Sequence, residues 1–422
     1  MYKERIADIL LDRKLQGKGA VLIEGPKWCG KTTTAKQKAK SVLDLGNSVT
    51  FSEAQEMFQL MPQKLLSGKT PRLIDEWQLM PRLWDMVRSE VDQRQIVGQF
   101  VLTGSSVPPD FSEIHHSGTG RFARLRMRTM SLWESGESTG QVSLGDIFEN
   151  KLFDPVECDT DIDRMAYLVC RGGWPQATLL KGDVALAQAV DYFDAIYQVD
   201  IHRVDKVRRS SERTRAILRS YARNQGSPIS LNKMSEDIKI SENQSITYET
   251  ISSYVDVLAN LFVVEDMLAW NPNLRSKTAI QSMPTRYFAD PSIATAALGL
   301  GPKDLINDLS TFGLLFETMA VRDLRVYADA LDGQLYHFRD AKGLECDAVL
   351  HRRNGTYGLI EIKLGGADNI EKGAKNLLAL SKIIDTDRMK APAFMMVLTA
   401  VGNFAYRRPD GVFVVPITCL KY

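Results

Sequence analysis

The sequence predicts an α/β protein built as three successive blocks, residues 1–145, 146–300 and 301–422, and three observations carry that prediction. The apolar run "GAVLIE" leads directly into the glycine-bracketed stretch "GPKWCGKTTTA" at residues 25–35. A second apolar run ends in an acidic pair, Asp75-Glu76, within "PRLIDEWQLMP". Towards the other end, "LYHFRDAKGLECDAVLHRRNGTYGLIEIKLGG" reads as strands that carry acids and a lysine. At 422 residues the chain exceeds one core, because single cores rarely grow past roughly 250 residues.

Bulk properties narrow the classes. A formal charge of +1 excludes a global polyelectrolyte, so any nucleic-acid surface must be a local patch. The five cysteines, Cys29, Cys158, Cys170, Cys346 and Cys419, show no paired or metal-type spacing and read as reduced thiols. "MYKERIADILLDRKLQG" mixes charge with leucine at helical spacing instead of forming a signal peptide, and no window approaches ~18 unbroken apolar residues. The expectation is a cytoplasmic protein without a membrane partner.

In the first block, Gly25, four residues, then Gly30-Lys31-Thr32 is the G-x-x-x-x-G-K-[ST] spacing of a P-loop, placed where a strand meets a stretch with no helix breaker before Leu45-Gly46. Glycines let the backbone N–H groups turn inward, and the following helix adds the positive end of its dipole. Residues Gly25, Pro26, Lys27, Trp28, Cys29, Gly30, Lys31, Thr32 and Thr33 are therefore the candidate ATP cradle. Lys31 would reach the β- and γ-phosphates, and the Thr32 hydroxyl would ligate magnesium. Neither Trp28 nor Cys29 is demanded by the pattern; Cys29 is either a reactive thiol near the nucleotide or a small buried side chain.

A P-loop requires a second strand that delivers acid to the metal. Asp75 would hold magnesium and Glu76 would polarise the attacking water. A third strand, "QIVGQFVLTGSS", ends in Thr103-Gly104-Ser105-Ser106; Ser105 either senses the γ-phosphate or belongs to a pair that caps a helix. In "HSGTGRFARLRMRTMSLWE" the alternation Leu125-Arg126-Met127-Arg128 predicts a strand with one charged face. Arg121, at its start, is either an arginine finger for a neighbouring subunit or part of a solvated surface. A finger acting in trans implies a ring or filament.

"GPKWCGKTTTA", "LIDEWQ", "VLTGSS" and "GTGRFARLRMRTMSLWE", in that order, resemble the bacterial family of AAA-type P-loop ATPases that carry a C-terminal domain of unknown function. The resemblance runs over the whole chain. It implies an AAA-type ATPase domain, a helical lid and winged-helix domain, and a small α/β restriction-endonuclease-like domain. It names parts better than purposes.

In the middle block, Gly172-Gly173-Trp174-Pro175 resembles a turn of that family, which either sits near the nucleotide base or simply joins two lid helices. "ALAQAVDYFDAIYQVDI" is an amphipathic helix, and the densest positive segment follows it, with Arg203, Lys206, Arg208, Arg209, Arg213 and Arg215 as candidate DNA contacts. "SLNKMSEDIKISENQSITYETISSYVDVLANLFVVEDMLAW" outlines a winged helix, with Ile251, Tyr254, Val255 and Leu258 on one buried face. Its exposed face carries almost no base-reading side chain, so phosphate contact or a structural role is expected there.

In the last block, Glu317 lies on a helix, Asp347 begins a strand, and Glu361 and Lys363 share one face of the next strand. The set resembles the PD-(D/E)XK nuclease core, whose carboxylates bind magnesium beside a scissile phosphate. A salt-bridged structural cluster is the alternative. Together the blocks predict a magnesium-dependent ATPase that works on DNA by translocation or branch migration, as a homo-oligomer, a hexamer being expected. An ATP-regulated endonuclease and a nucleotide-dependent protein-binding switch are the rival readings.

Overall fold

Ala20–Glu24 (β1) is apolar at four consecutive positions, and all four are buried. A strand covered on both faces belongs inside a parallel sheet. In the computed structural model it lies between β4 (Phe100–Gly104) and β5 (Phe122–Arg126), while β3 (Arg72–Asp75) and β2 (Ser41–Asp44) continue the sheet, giving the order β2-β3-β4-β1-β5. Every pairing in it is parallel. The structure describes residues 2–105, 116–204, 207–271, 283–341 and 343–422.

Parallel neighbours need crossovers, and helices α2 (Lys31–Lys38), α3 (Ser48–Leu60) and α4 (Leu83–Arg94) supply them after an opening helix α1 (Ile6–Gly17). α2 is shorter than its breaker-free stretch allows. The chain leaves it at Lys38 because β2 gains a place beside β3. Trp77, Leu83, Trp84 and Val87 pack with Phe100 and Leu102 in one apolar cluster, and the Trp84 ring stacks on Phe122 at 3.9 Å.

The chain forms two compact units. The first comprises 1–129 with 198–210 and 256–263; the second comprises 130–197, 211–255 and 264–422. The sequence set its first boundary at 145, whereas the segment from Met130 groups with the later blocks. Long-range pairing is the reason: β6 (Val142–Ser143) lies beside β14 (Leu420–Lys421), and β7 (Val156–Glu157) joins the edge of the second unit's main sheet.

In that sheet, strands β8 (Gly333–Arg339), β9 (Glu345–Arg352) and β10 (Tyr357–Lys363) are antiparallel neighbours. β10, β11 (Phe394–Thr399) and β13 (Phe413–Pro416) run parallel, and β12 (Phe404–Arg407) returns against β13. The seven strands stand in the order β7-β12-β13-β11-β10-β9-β8. Helix Leu309–Ala330 brings Arg322 into a fully buried network with Asp290 at 3.0 Å and Asp323 at 2.7 Å. Asp323 also accepts the Leu132 N–H, and Asp290 accepts the Gly173 N–H. Trp174 is 2% exposed and donates to Ser292 Oγ, so the Gly172–Pro175 turn serves packing.

Helices Ser211–Arg223, Leu231–Ser241 and Tyr248–Asn260 follow one another, with isolated antiparallel bridges Val264–Phe288 and Met267–Thr285 after them. Ile251, Tyr254, Val255 and Leu258 are buried, as their spacing predicts. The cysteine expectation needs correction. Cys158 and Cys419 form a disulfide across 261 residues, while Cys29, Cys170 and Cys346 are free and buried. Linear spacing cannot register this pair, because Cys158 reaches it through β7 and Cys419 through the start of β14. Among the described residues, no helix is long and apolar enough to cross a membrane.

Candidate nucleotide-binding site

The loop after β1 is shaped by close approach. Gly25 has φ 156°, and a Cβ there would sit 2.0 Å from the Met127 carbonyl oxygen, so no side chain is accommodated. Gly30, at φ 102°, turns the chain into α2. Lys31 is 5% exposed and donates to the carbonyl oxygens of Gly25 and Pro26, each at 2.8 Å. Cys29 is fully buried, which matches the buried-side-chain alternative, whereas Trp28 is an exposed indole at φ 64°.

Two contacts brace this loop from distant parts of the chain. The buried Arg5 guanidinium donates to the Cys29 carbonyl and to the Arg128 carbonyl, each at 2.9 Å. Lys27 pairs with Asp200 at 2.5 Å. Sequence reasoning missed Arg5 and Asp200, since neither lies in a motif.

The strand ends converge on the loop. Asp75 Oδ1 accepts the Thr32 hydroxyl at 2.8 Å and also the Thr103 hydroxyl. Register explains this, for Asp75 lies directly opposite Thr103 across the β3–β4 pair. Glu76, held at φ 55°, accepts from Gln78 Nε2 and from Ser105 Oγ at 3.2 Å. Ser105 therefore stands beside the proposed water-activating carboxylate; Ser106 lies outside the described residues. A hydroxyl and a carboxylate in contact are hard oxygen donors of the kind magnesium takes while keeping several waters. The donor set and the position at Gly25, which excludes any side chain, fit a magnesium nucleotide.

Arg121 lies elsewhere. Its carbonyl accepts the Ala20 N–H at 3.2 Å, at the entry of β1, while the loop leaves from the exit, about 13 Å away along a strand. Its guanidinium pairs with Asp92 at 2.7 Å. Arg126, opposite Glu24 in register, is the β5 arginine at the loop's end of the sheet.

Residues 17–135 match the model of the AAA domain. Two domains of unknown function match further on, DUF8612 over residues 162–304 and DUF4143 over residues 312–420. An uncharacterized protein of Mycobacterium tuberculosis and one of Mycobacterium bovis are each 22% identical over 384 residues, spanning 90% of this chain and 78% of theirs. A Walker-type ATPase of Pyrococcus abyssi overlays with a TM-score of 0.43 at 14% identity, covering 71% of this chain and 96% of that one. The match over residues 17–135 supports a P-loop domain of the AAA kind at this end of the chain, and its loop lies at the carboxyl end of β1 in the parallel sheet.

The other predicted residues fall into two groups. Arg203, Arg208, Arg213 and Arg215 are exposed, Arg209 is buried at 5% exposure, and Lys206 lies outside the described residues. In the second unit, Glu317, Asp347, Glu361 and Lys363 do converge: Lys363 Nζ lies 2.6 Å from Glu361 Oε2 and 3.0 Å from Asp347 Oδ2. Tyr287, unflagged by its sequence context, donates its hydroxyl to Glu317. Among the described residues, no group of three or more His, Cys, Asp or Glu side chains is arranged so as to hold a metal ion.

Burial pushes the Glu317 carboxyl up to about 8, and the Asp347 carboxylate adds to the rise. Glu361 is pushed up to about 8 for the same two reasons, against the pull of Lys363. Both carboxyls stay protonated in the folded state across a window, roughly pH 4.5 to 8, in which the unfolded chain has released those protons. Stability must therefore fall as pH rises through that window. Glu317→Gln should flatten the decline by up to about 1.4 kcal/mol per pH unit in urea unfolding between pH 5 and 8. Identical slopes for variant and wild type would refute this assignment.

Proposed function

We propose that the protein is a magnesium-dependent ATPase whose hydrolysis is coupled to binding and remodelling of DNA. The observation that carries the reading is the meeting of Thr32 and Thr103 on Asp75 beside the lysine-bearing loop. Gly25 and Gly30 shape the phosphate cradle, Lys31 neutralises the terminal phosphates, and Thr32 with Asp75 would hold magnesium. The ion supplies charge neutralisation across the phosphates. Glu76, positioned by Gln78 and Ser105, orients and polarises the attacking water.

Arg121 lies far along the sheet from its own chain's loop and pairs with Asp92, so any part it takes in turnover would be on a second copy within an oligomeric ring. The exposed Arg203, Arg208, Arg213 and Arg215 support backbone contact with DNA, a sequence-independent and salt-sensitive mode. The helix succession Ser211–Asn260 with its two following bridges supports the winged-helix reading.

The deciding experiment is ATP turnover with single-stranded, duplex and four-way-junction DNA. Lys31→Ala should abolish turnover, and Glu76→Gln should lower it by about 100-fold or more while leaving nucleotide bound. DNA should stimulate the wild type, and neutralising Arg208 and Arg213 together should remove the stimulation. Turnover that is indifferent to Lys31 would end the ATPase reading, and indifference to every DNA would favour a protein-binding switch.

A second reading comes from the convergence of Glu317, Asp347, Glu361 and Lys363: phosphodiester cleavage regulated by ATP. Incubation of linear and branched DNA with magnesium or manganese should then give products that Glu361→Ala fails to make. Equal cleavage by the two proteins, or none by either, removes this reading.

A further inference from the structure

We propose that Asp200 is a resident counter-anion of the phosphate loop, which nucleotide phosphate displaces from Lys27. The inference rests on the loop being a nucleotide site. Lys27 is the third residue of the loop, and its ammonium lies 2.5 Å from Asp200 Oδ1. The lysine side chain is 37% accessible, the aspartate only 9%. Asp200 opens the single turn Asp200–His202, and Ile201 and Val204, both buried, anchor that turn within the first unit. The carboxylate is thus presented to the loop by packed backbone. It does not depend on two flexible side chains meeting at a surface.

The loop bears two ammonium groups, on Lys27 and Lys31, and Asp200 offsets one of them. Phosphate drawn in by the backbone N–H groups and Lys31 is a second anion competing for Lys27, and it repels the Asp200 carboxylate across a partly desolvated space. Nucleotide and Asp200 therefore oppose each other at a single cation. Coupling of this kind is reciprocal: bound nucleotide loosens the Asp200–His202 turn, and any force that draws that turn away tightens nucleotide binding by the same factor. Exposed Arg203 comes directly after the turn, so an anionic partner held there would favour nucleotide. Asp200 is accordingly a positioning residue that acts through Lys27.

The test is the affinity for MgADP and MgATPγS of wild type, Asp200→Asn, Lys27→Gln and the double variant. Asp200→Asn should tighten binding about three- to ten-fold, Lys27→Gln should weaken it by a similar factor, and Asp200→Asn should change nothing once Lys27 is gone. In the wild type, tryptic cleavage after Arg203 should quicken when nucleotide is added; this arm decides the matter should Asp200→Asn fail to fold. Unchanged or weaker binding by a folded Asp200→Asn, or cleavage that nucleotide does not alter, overturns the inference and leaves the nucleotide site standing. A wild type that binds neither nucleotide overturns both.

Discussion

One oxygen atom, Asp75 Oδ1, ties the first unit's chemistry together. It accepts hydroxyls from the first turn of α2 and from the end of β4, so the loop, the acidic strand and the third strand are aligned at one point. The alignment depends on sheet order. β3 and β1 both flank β4, and with all three parallel their carboxyl ends open on the same side. A change of register by one residue would turn Asp75 to the other face of the sheet and dissolve the arrangement.

The loop itself is held by contacts that leave it little freedom. Met127 forbids a side chain at Gly25, Arg5 clamps the Cys29 carbonyl to the exit of β5, and Lys31 bonds back to the loop's first two carbonyls. Preorganisation of this kind lowers the ordering cost of gripping an anion. It also makes the loop sensitive to residues remote in sequence, Arg5 and Asp200 among them.

Much of this was legible in the sequence, for reasons that differ by residue. The strand–loop–helix sense of residues 20–38 comes from apolar run, glycine spacing and lysine, all of them local. Asp75 and Glu76 were legible because an acidic pair ends an apolar strand. The convergence of Asp347, Glu361 and Lys363 was legible because side chains two apart on a strand share a face. Illegible were features made by long-range pairing: the Cys158–Cys419 disulfide, the addition of β7 to the second sheet, and the bond from Tyr287 to Glu317. The buried state of Arg209 was hidden because a charged run reads as uniformly solvated. The fully buried network of Arg322 with Asp290 and Asp323 carries no motif at all.

The central claim is that the Gly25–Thr32 loop grips the β-phosphate of a nucleotide, which Lys31 and the loop's backbone N–H groups would contact. Competition at equilibrium tests it most directly. One labelled ATPγS should bind per chain and be displaced by ADP, whereas AMP, which lacks the β-phosphate, should displace it at least about 100-fold less well. Equal displacement by AMP and ADP, or no binding of the labelled nucleotide, would contradict the account.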